Sequence, residues 1–157
     1  MNFVAASKTR GTRVPPPAFY LAGLTAGLMV ERVAPLTLPS GAPATAVAAI
    51  AFGTGAGFVA SSVVCFKRAG TSVAPNSPTT ALVTTGPYGI SRNPIYLGFT
   101  LVAAGIAIAT RSGWTLLLLP LVVGAIGRLV ITCEERELAA RYGQEFQRYR
   151  VRTRRWI

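Results

Sequence analysis

The side chains of this chain that could do chemistry fall in three places. The first is the run Leu82-Val83-Thr84-Thr85-Gly86-Pro87-Tyr88-Gly89-Ile90-Ser91, followed at once by Arg92-Asn93-Pro94-Ile95-Tyr96. The second is the adjacent pair Glu134-Glu135. The third is Arg128, a lone cation inside an otherwise apolar stretch. Carboxylates and guanidinium groups pair with opposite charges and with each other. A bent Gly-Pro backbone and two phenols complete a set able to enclose a small volume at the membrane edge. What is missing is equally informative. There is no His, so no Ser-His-Asp triad, no His-ligated metal and no imidazole base is available. The two cysteines, Cys65 and Cys133, lie far apart and fit no metal or redox spacing, so no metal site is expected.

The elements that must position these residues are read from the apolar runs. Half of the 157 residues are hydrophobic and 13% are charged, with 16 Lys+Arg against 5 acidic residues. A net charge of +11 fits nucleic-acid binding or the inner loops of a membrane protein, and the placement of the charges decides between them. Apolar runs at 16–38, 44–66, 94–110 and 114–131 predict four membrane spans, since roughly 20 helical residues cross a bilayer. The fold class expected is all-α: a single polytopic membrane domain with about four transmembrane helices. A basic arm (1–14) precedes the spans, a long cytoplasmic loop (67–93) divides them, and an amphipathic C-terminal helix with a basic tail (132–157) ends the chain. The arm before an apolar stretch resembles a signal peptide but has no convincing small-residue cleavage site, so it reads as leading into a retained span. Glu31-Arg32 interrupts the first run and leaves its outer end open. Gly23/Gly27 and Gly53/Gly57 have the G-x-x-x-G spacing of close helix packing.

Most cations lie in the arm, the 67–93 loop and the tail, which four spans place on one side. The positive-inside rule then makes both termini cytoplasmic in an inner or plasma membrane, with no need for nucleic acid as a partner. The tail helix repeats Leu138, Tyr142, Phe146 and Tyr149 on one face, a pattern expected to lie on the membrane surface with Trp156 as interfacial anchor. The arginines at 150–155 would favour anionic headgroups. Because runs three and four form a hairpin, Arg92 and the Glu pair should meet at one end. That meeting has two readings: an ion pair tying helix ends together, or the wall of a site. Arg128 costs roughly 2.5 kcal/mol or more at mid-span. It must therefore face a partner or cavity, or snorkel to the interface.

The order Leu-Val-Thr-Thr-Gly-Pro-Tyr (82–88), Arg-Asn-Pro-Ile-Tyr-Leu-Gly (92–98), an apolar hairpin, then Glu-Glu-x-x-Leu-x-x-x-Tyr-Gly-x-x-Phe-x-x-Tyr and a closing Arg-Arg-Trp is distinctive. It resembles the isoprenylcysteine carboxyl methyltransferase and phospholipid methyltransferase family of membrane enzymes, over about residues 67–157. The resemblance implies S-adenosylmethionine as cofactor and a lipophilic acceptor reaching it from the membrane. It implies that Ala81, Leu82, Val83, Gly86 and Tyr88 line the cofactor. Asn93, Pro94 and Tyr96 stand where the family has His-Pro-x-Tyr, and Glu134 or Glu135 where it has a cofactor-binding acid. Arg128 is the nearest match to an acceptor-binding Arg, and Arg92 and Asn93 join it as candidate catalytic residues. Asn93 departs from the His of the eukaryotic members and cannot become cationic, which bears on an isoprenylcysteine substrate more than on the cofactor.

Two other functions fit parts of the pattern. Membrane sterol reductases carry a similar Arg-His-Pro-Asn-Tyr motif near a helical hairpin, which would imply NADPH. A non-enzymatic scaffold subunit would use the same residues for packing alone. The methyl acceptor, the methylated atom and the oligomeric state have no signature in the residues.

Overall fold

A computed structural model of the chain describes residues 14–71 and 81–157. The basic arm up to residue 13 and the middle of the long loop, 72–80, lie outside the described residues. The described residues are all-α. Four apolar helices follow in order: α1 (Pro16–Val33), α2 (Ala42–Arg68), α3 (Pro94–Ala109) and α4 (Gly113–Ile126). Proline marks the first turn of the first three, where its missing N–H costs no hydrogen bond and its φ is already helical. A short 3-10 turn, Gly86–Gly89, interrupts the loop before α3.

The end of α4 differs from expectation. The chain does not leave the helix before Glu134. A π-turn at Gly127–Ile131 leads directly into α5 (Thr132–Arg152), so one helical run of 40 residues extends from Gly113 to Arg152. It bends at Gly143, whose φ of 49° is open to glycine but strained for other residues. By length and composition α2 and the 113–152 run are each able to cross a membrane, with α3 a shorter apolar helix of 16 residues.

Two pairings build the bundle. α2 packs along α3, α1 packs along α4, and α3 touches α4 and α1 between them. The α2–α3 contact is the closest. Ala48, Gly55 and Ser62, seven residues apart, are the buried positions of α2. A Cβ on Gly55 would lie 2.6 Å from the Gly98 carbonyl oxygen, and one on Gly98 would lie 2.7 Å from the Gly55 oxygen. The expected spacing motifs are therefore half right. Gly23 and Gly27 do lie against Val122 and Thr115 of α4, whereas Gly53 and Gly57 have nothing within 4 Å. Gly53 instead borders an open groove between the two helices, and Gly55, between it and Gly57, makes the contact.

Glu31 explains the polar break at the end of the first apolar run. Its carboxylate accepts hydrogen bonds from Leu36 N at 2.6 Å and from Ser112 Oγ at 3.2 Å. Ser112 in turn caps α4 by accepting from Thr115 N at 3.3 Å. Trp114 Nε1 donates to Ala34 O at 2.6 Å. The loop after α1 is thus sewn to the α3–α4 turn, and α1 ends at Val33 rather than continuing to 38.

Gly55→Ala forces methyl against backbone and should cost about 1–3 kcal/mol. Gly53→Ala meets open space and should be neutral or gain about 0.5–1 kcal/mol. Unfolding of the two variants in mixed micelles measures the difference, and equal effects would contradict the α2–α3 seam described.

Candidate functional site

The end of the bundle away from Glu31 gathers the chemistry-bearing residues. Gly86, with φ 62°, turns the chain beside Cys65 at the end of α2, where a Cβ would come within 2.9 Å of Cys65 Sγ. Pro87 and Tyr88 are buried behind this turn. The Tyr88 ring stands edge-on to Phe66 at 5.3 Å between centroids. Tyr149 Oη of α5 donates to Tyr88 O at 2.7 Å. Burial pushes the Tyr149 phenol up to about 12, so it remains a neutral donor.

This packing overturns the expected placement of α5. Its apolar face does not lie open to a membrane surface. Phe146 and Tyr149 are buried with Tyr88, and Leu138 and Tyr142 pack on the same cluster with Leu82, Val83, Cys65 and Phe66. The face covers the loop and the end of α2. Trp156 also packs inward, against the cluster that contains Tyr20, Tyr96 and Ile131.

Arg92 and the Glu pair do meet. Arg92 donates to Glu135 Oε1 from Nε at 3.1 Å and from Nη2 at 2.7 Å. Its Nη1 donates to Thr153 O at 2.6 Å and to Arg150 O at 3.3 Å. The other carboxylate oxygen of Glu135 is taken by Arg155 Nη2. The tail past α5 therefore doubles back as a strap over residues 91–93. Arg92 N donates to Arg154 O at 2.9 Å, and Ser91 Oγ to Arg155 O at 3.2 Å. Asn93 Nδ2 donates to Arg155 O at 2.9 Å, so its amide holds the tail instead of capping α3. The expectation that the tail arginines face headgroups is thus corrected for Arg155, which turns inward because Glu135 needs a second cation there. Burial alone would raise the Glu135 carboxyl, but the hydrogen bonds from Arg155 and Arg92 hold it below the ordinary carboxylate range.

Glu134 has the opposite surroundings. Its Oε1 accepts from Tyr96 Oη at 2.7 Å, and no cation pairs with it among the described residues. Burial raises its pKa, with Glu137 and Glu135 adding to the rise and the Tyr96 hydroxyl opposing it. Tyr20 of α1 fixes the turn that carries Tyr96, donating to Tyr96 O at 2.9 Å and lying 2.9 Å from Thr100 Oγ1. Two adjacent acids, indistinguishable in sequence, thus differ in kind: Glu135 has two cation partners, and Glu134 has none among the described residues.

Leu82, Val83, Gly86, Tyr88, Arg92, Asn93, Pro94, Tyr96, Glu134 and Glu135 come together at this end, with Ala81 half-buried at the start of the described loop. Arg128 does not join them. It is exposed on the π-turn, and six residues along one helix separate it from Glu134, which puts the two on different faces. Sequence reasoning missed Tyr20, Ser91, Tyr149, Thr153 and Arg155. The closing Arg-Arg-Trp was visible as a motif, but nothing local revealed that it folds back.

Arg92→Gln should lower stability by about 1.5–3 kcal/mol, because it removes charge-assisted hydrogen bonds to a carboxylate with little exposure. Arg155→Gln should cost less, since its side chain is 39% exposed and partly screened by water. The pH dependence follows from the lowered pKa of Glu135. Its contribution is fully present above the ordinary carboxylate range and is lost as the pH falls through the lowered value. Thermal melts of the two variants across acid pH check both, and a Glu135→Gln melt as pH-sensitive as wild type would contradict them.

No curated protein and no solved structure matches the chain. A family model does: phospholipid methyltransferase, over residues 43–145. The matched stretch takes in α2, the loop, the α3–α4 hairpin, both glutamates and most of α5, which is well over half of the chain. With its apolar helices long enough to cross a bilayer and its polar groups gathered at one end of them, this chain belongs to the phospholipid methyltransferase family of integral membrane methyltransferases.

Proposed function

We propose that this protein transfers a methyl group from S-adenosylmethionine to a lipophilic acceptor at the cytoplasmic face of the membrane. In this reading α1, α2, α3 and α4 each span the bilayer within a single domain, and both termini are cytoplasmic. The observation that carries the proposal is Glu134: a half-buried carboxylate with a tyrosine partner and no cation, at the end of the bundle where the loop folds over.

The cofactor's chemistry fits these groups. S-adenosylmethionine carries an ammonium, a carboxylate and a methyl-bearing sulfonium, and the sulfonium supplies the methyl group. Glu134 would hold a cationic group, with Tyr96 fixing the carboxylate's orientation. Leu82, Val83 and Tyr88 offer apolar cover for the adenine. Arg92 and Asn93 act in this account as positioning residues, since their donors are spent on Glu135 and on tail carbonyls. Methyl transfer is an in-line displacement whose barrier falls through positioning and exclusion of water, so the lack of His is no obstacle. An amine or hydroxyl acceptor would have to lose a proton, and only a Glu, Tyr or Lys side chain could take it. Arg128, exposed beyond the cluster, would meet an anionic group of the acceptor at the membrane interface.

The same charges count against the NADPH reading. An anionic dinucleotide needs free cations, yet Arg92 and Arg155 are both committed to Glu135, and Glu134 would repel it.

Calorimetry with S-adenosylhomocysteine tests the proposal. Wild type should bind, and Glu134→Gln should bind about tenfold or more weakly, the worth of one charge-assisted contact. Affinity should fall as the pH drops, beginning above the range where an ordinary carboxylate is protonated, and Glu134→Gln should lack this dependence. Binding of NADPH without any binding of S-adenosylhomocysteine would overturn the assignment.

A further inference from the structure

A groove among the described residues lies away from this site. It lies between the other halves of α2 and α3, at the Glu31 end, with a volume of about 600 Å³. That volume falls inside the roughly 300–1,000 Å³ common for small-molecule sites. Its α3 lining, Gly105 to Ala109, starts nine residues beyond Tyr96, about 14 Å along the helix at about 1.5 Å per residue. A methyl acceptor at Glu134 therefore leaves this groove unexplained.

The groove is built like the seat of an amphiphile. Its body is apolar, formed by Ala48, Ala49 and Phe52 of α2 against Ile106 and Ala109 of α3. Its mouth is polar, with Ser40, Thr45, Thr110 and Arg111. Two sources of positive potential meet there. One is Arg111, held by a hydrogen bond from Nε to Leu38 O at 3.1 Å. Its terminal guanidinium nitrogens have no hydrogen-bond or ion-pair partner among the described residues. The other is the start of α2, a 27-residue helix whose N-cap, Gly41, provides no side-chain cap. No acidic residue lines the groove. The nearest, Glu31, already accepts from Leu36, Ser112 and Trp114.

We propose that this groove binds one anionic membrane phospholipid, an acyl chain lying between α2 and α3 and the phosphate between Arg111 and the start of α2. The lipid comes from the leaflet opposite the methyl-transfer end, so the inference rests on the reading that α2 and α3 cross the bilayer. A second copy of the chain fits less well. Of the five acidic residues, only Glu31 lies at this end of the bundle, and it is occupied, so a partner copy has no free carboxylate to offer Arg111.

Native mass spectrometry of the purified protein, given equal amounts of phosphatidylglycerol and phosphatidylcholine with matched chains, tests this. Wild type should keep one phosphatidylglycerol under activation that strips phosphatidylcholine. Arg111→Gln should reduce that preference about tenfold, while Arg32→Gln, a cation at the same end but outside the groove, should leave it intact. Gly53→Phe should fill the groove and abolish retention. Its new side chain starts in open space, and Ala49→Phe serves as the second filling variant. Equal losses in the two arginine variants would reveal diffuse charge and overturn the proposal. So would lipid retained in both filled variants, or a wild-type dimer that the filled variants dissociate. Because the readout is lipid mass and not S-adenosylhomocysteine binding, failure here leaves the methyltransferase assignment standing, and the converse holds as well.

Discussion

One carboxylate organises the working end of this molecule. Glu135 is gripped by Arg92 from the entry of α3 and by Arg155 from the tail, so three segments far apart in sequence converge on two oxygen atoms. An ionised carboxylate with little exposure is costly unless it is paired and hydrogen-bonded. Satisfying it draws the tail across residues 91–93, where backbone carbonyls 153, 154 and 155 find their donors. Once Glu135 is neutralised this way, its neighbour has no cation left. That division gives two adjacent acids different surroundings: one closes the structure, and the other, in the function proposed, is left for a ligand.

The helices serve this arrangement by bringing ends together. The Gly55–Gly98 approach sets how closely α2 can carry Phe66 and Cys65 to the turn before α3. Tyr20 anchors α1 to the turn of α3 that presents Tyr96. The π-turn before α5 holds one residue more than an α-turn would, and so shifts the face on which Glu134 and Glu135 emerge. Such an insertion within a helix is frequently found at functional sites. At the opposite end, Glu31 and Ser112 join the two loops with neutral hydrogen-bond partners, so the cation Arg111 is left for the groove mouth.

Much of the fold was legible from residue types. The starts of α1, α2 and α3 follow from proline at their first turns, and the α3–α4 break follows from Arg111-Ser112-Gly113. The family was legible because its motifs are local and ordered: the 82–88 run, Arg92 to Gly98, and Glu134-Glu135. What escaped depends on rotation and return. Gly53 and Gly57 match a packing motif, yet α3 arrives on the face of Gly55, and no spacing rule says which face a neighbour chooses. Neighbouring glutamates lie about 100° apart on a helix, so which one turns inward depends on the π-turn that precedes them. The apolar face of α5 was periodic as expected, but periodicity does not distinguish a membrane surface from a folded loop. Arg155 pairs with a residue 20 positions earlier and crosses others more than 60 earlier, contacts that composition cannot foretell.

The central claim is that Glu134 serves methyl transfer, and product formation tests it most directly. Membranes containing the protein would be supplied with S-adenosylmethionine labelled in its methyl group, and the lipid-extractable fraction would be counted. The account predicts label in that fraction with wild type and only background with Glu134→Gln at equal protein level. Equal labelling by the two proteins, or none by a folded wild type across a full membrane lipid extract, would contradict it.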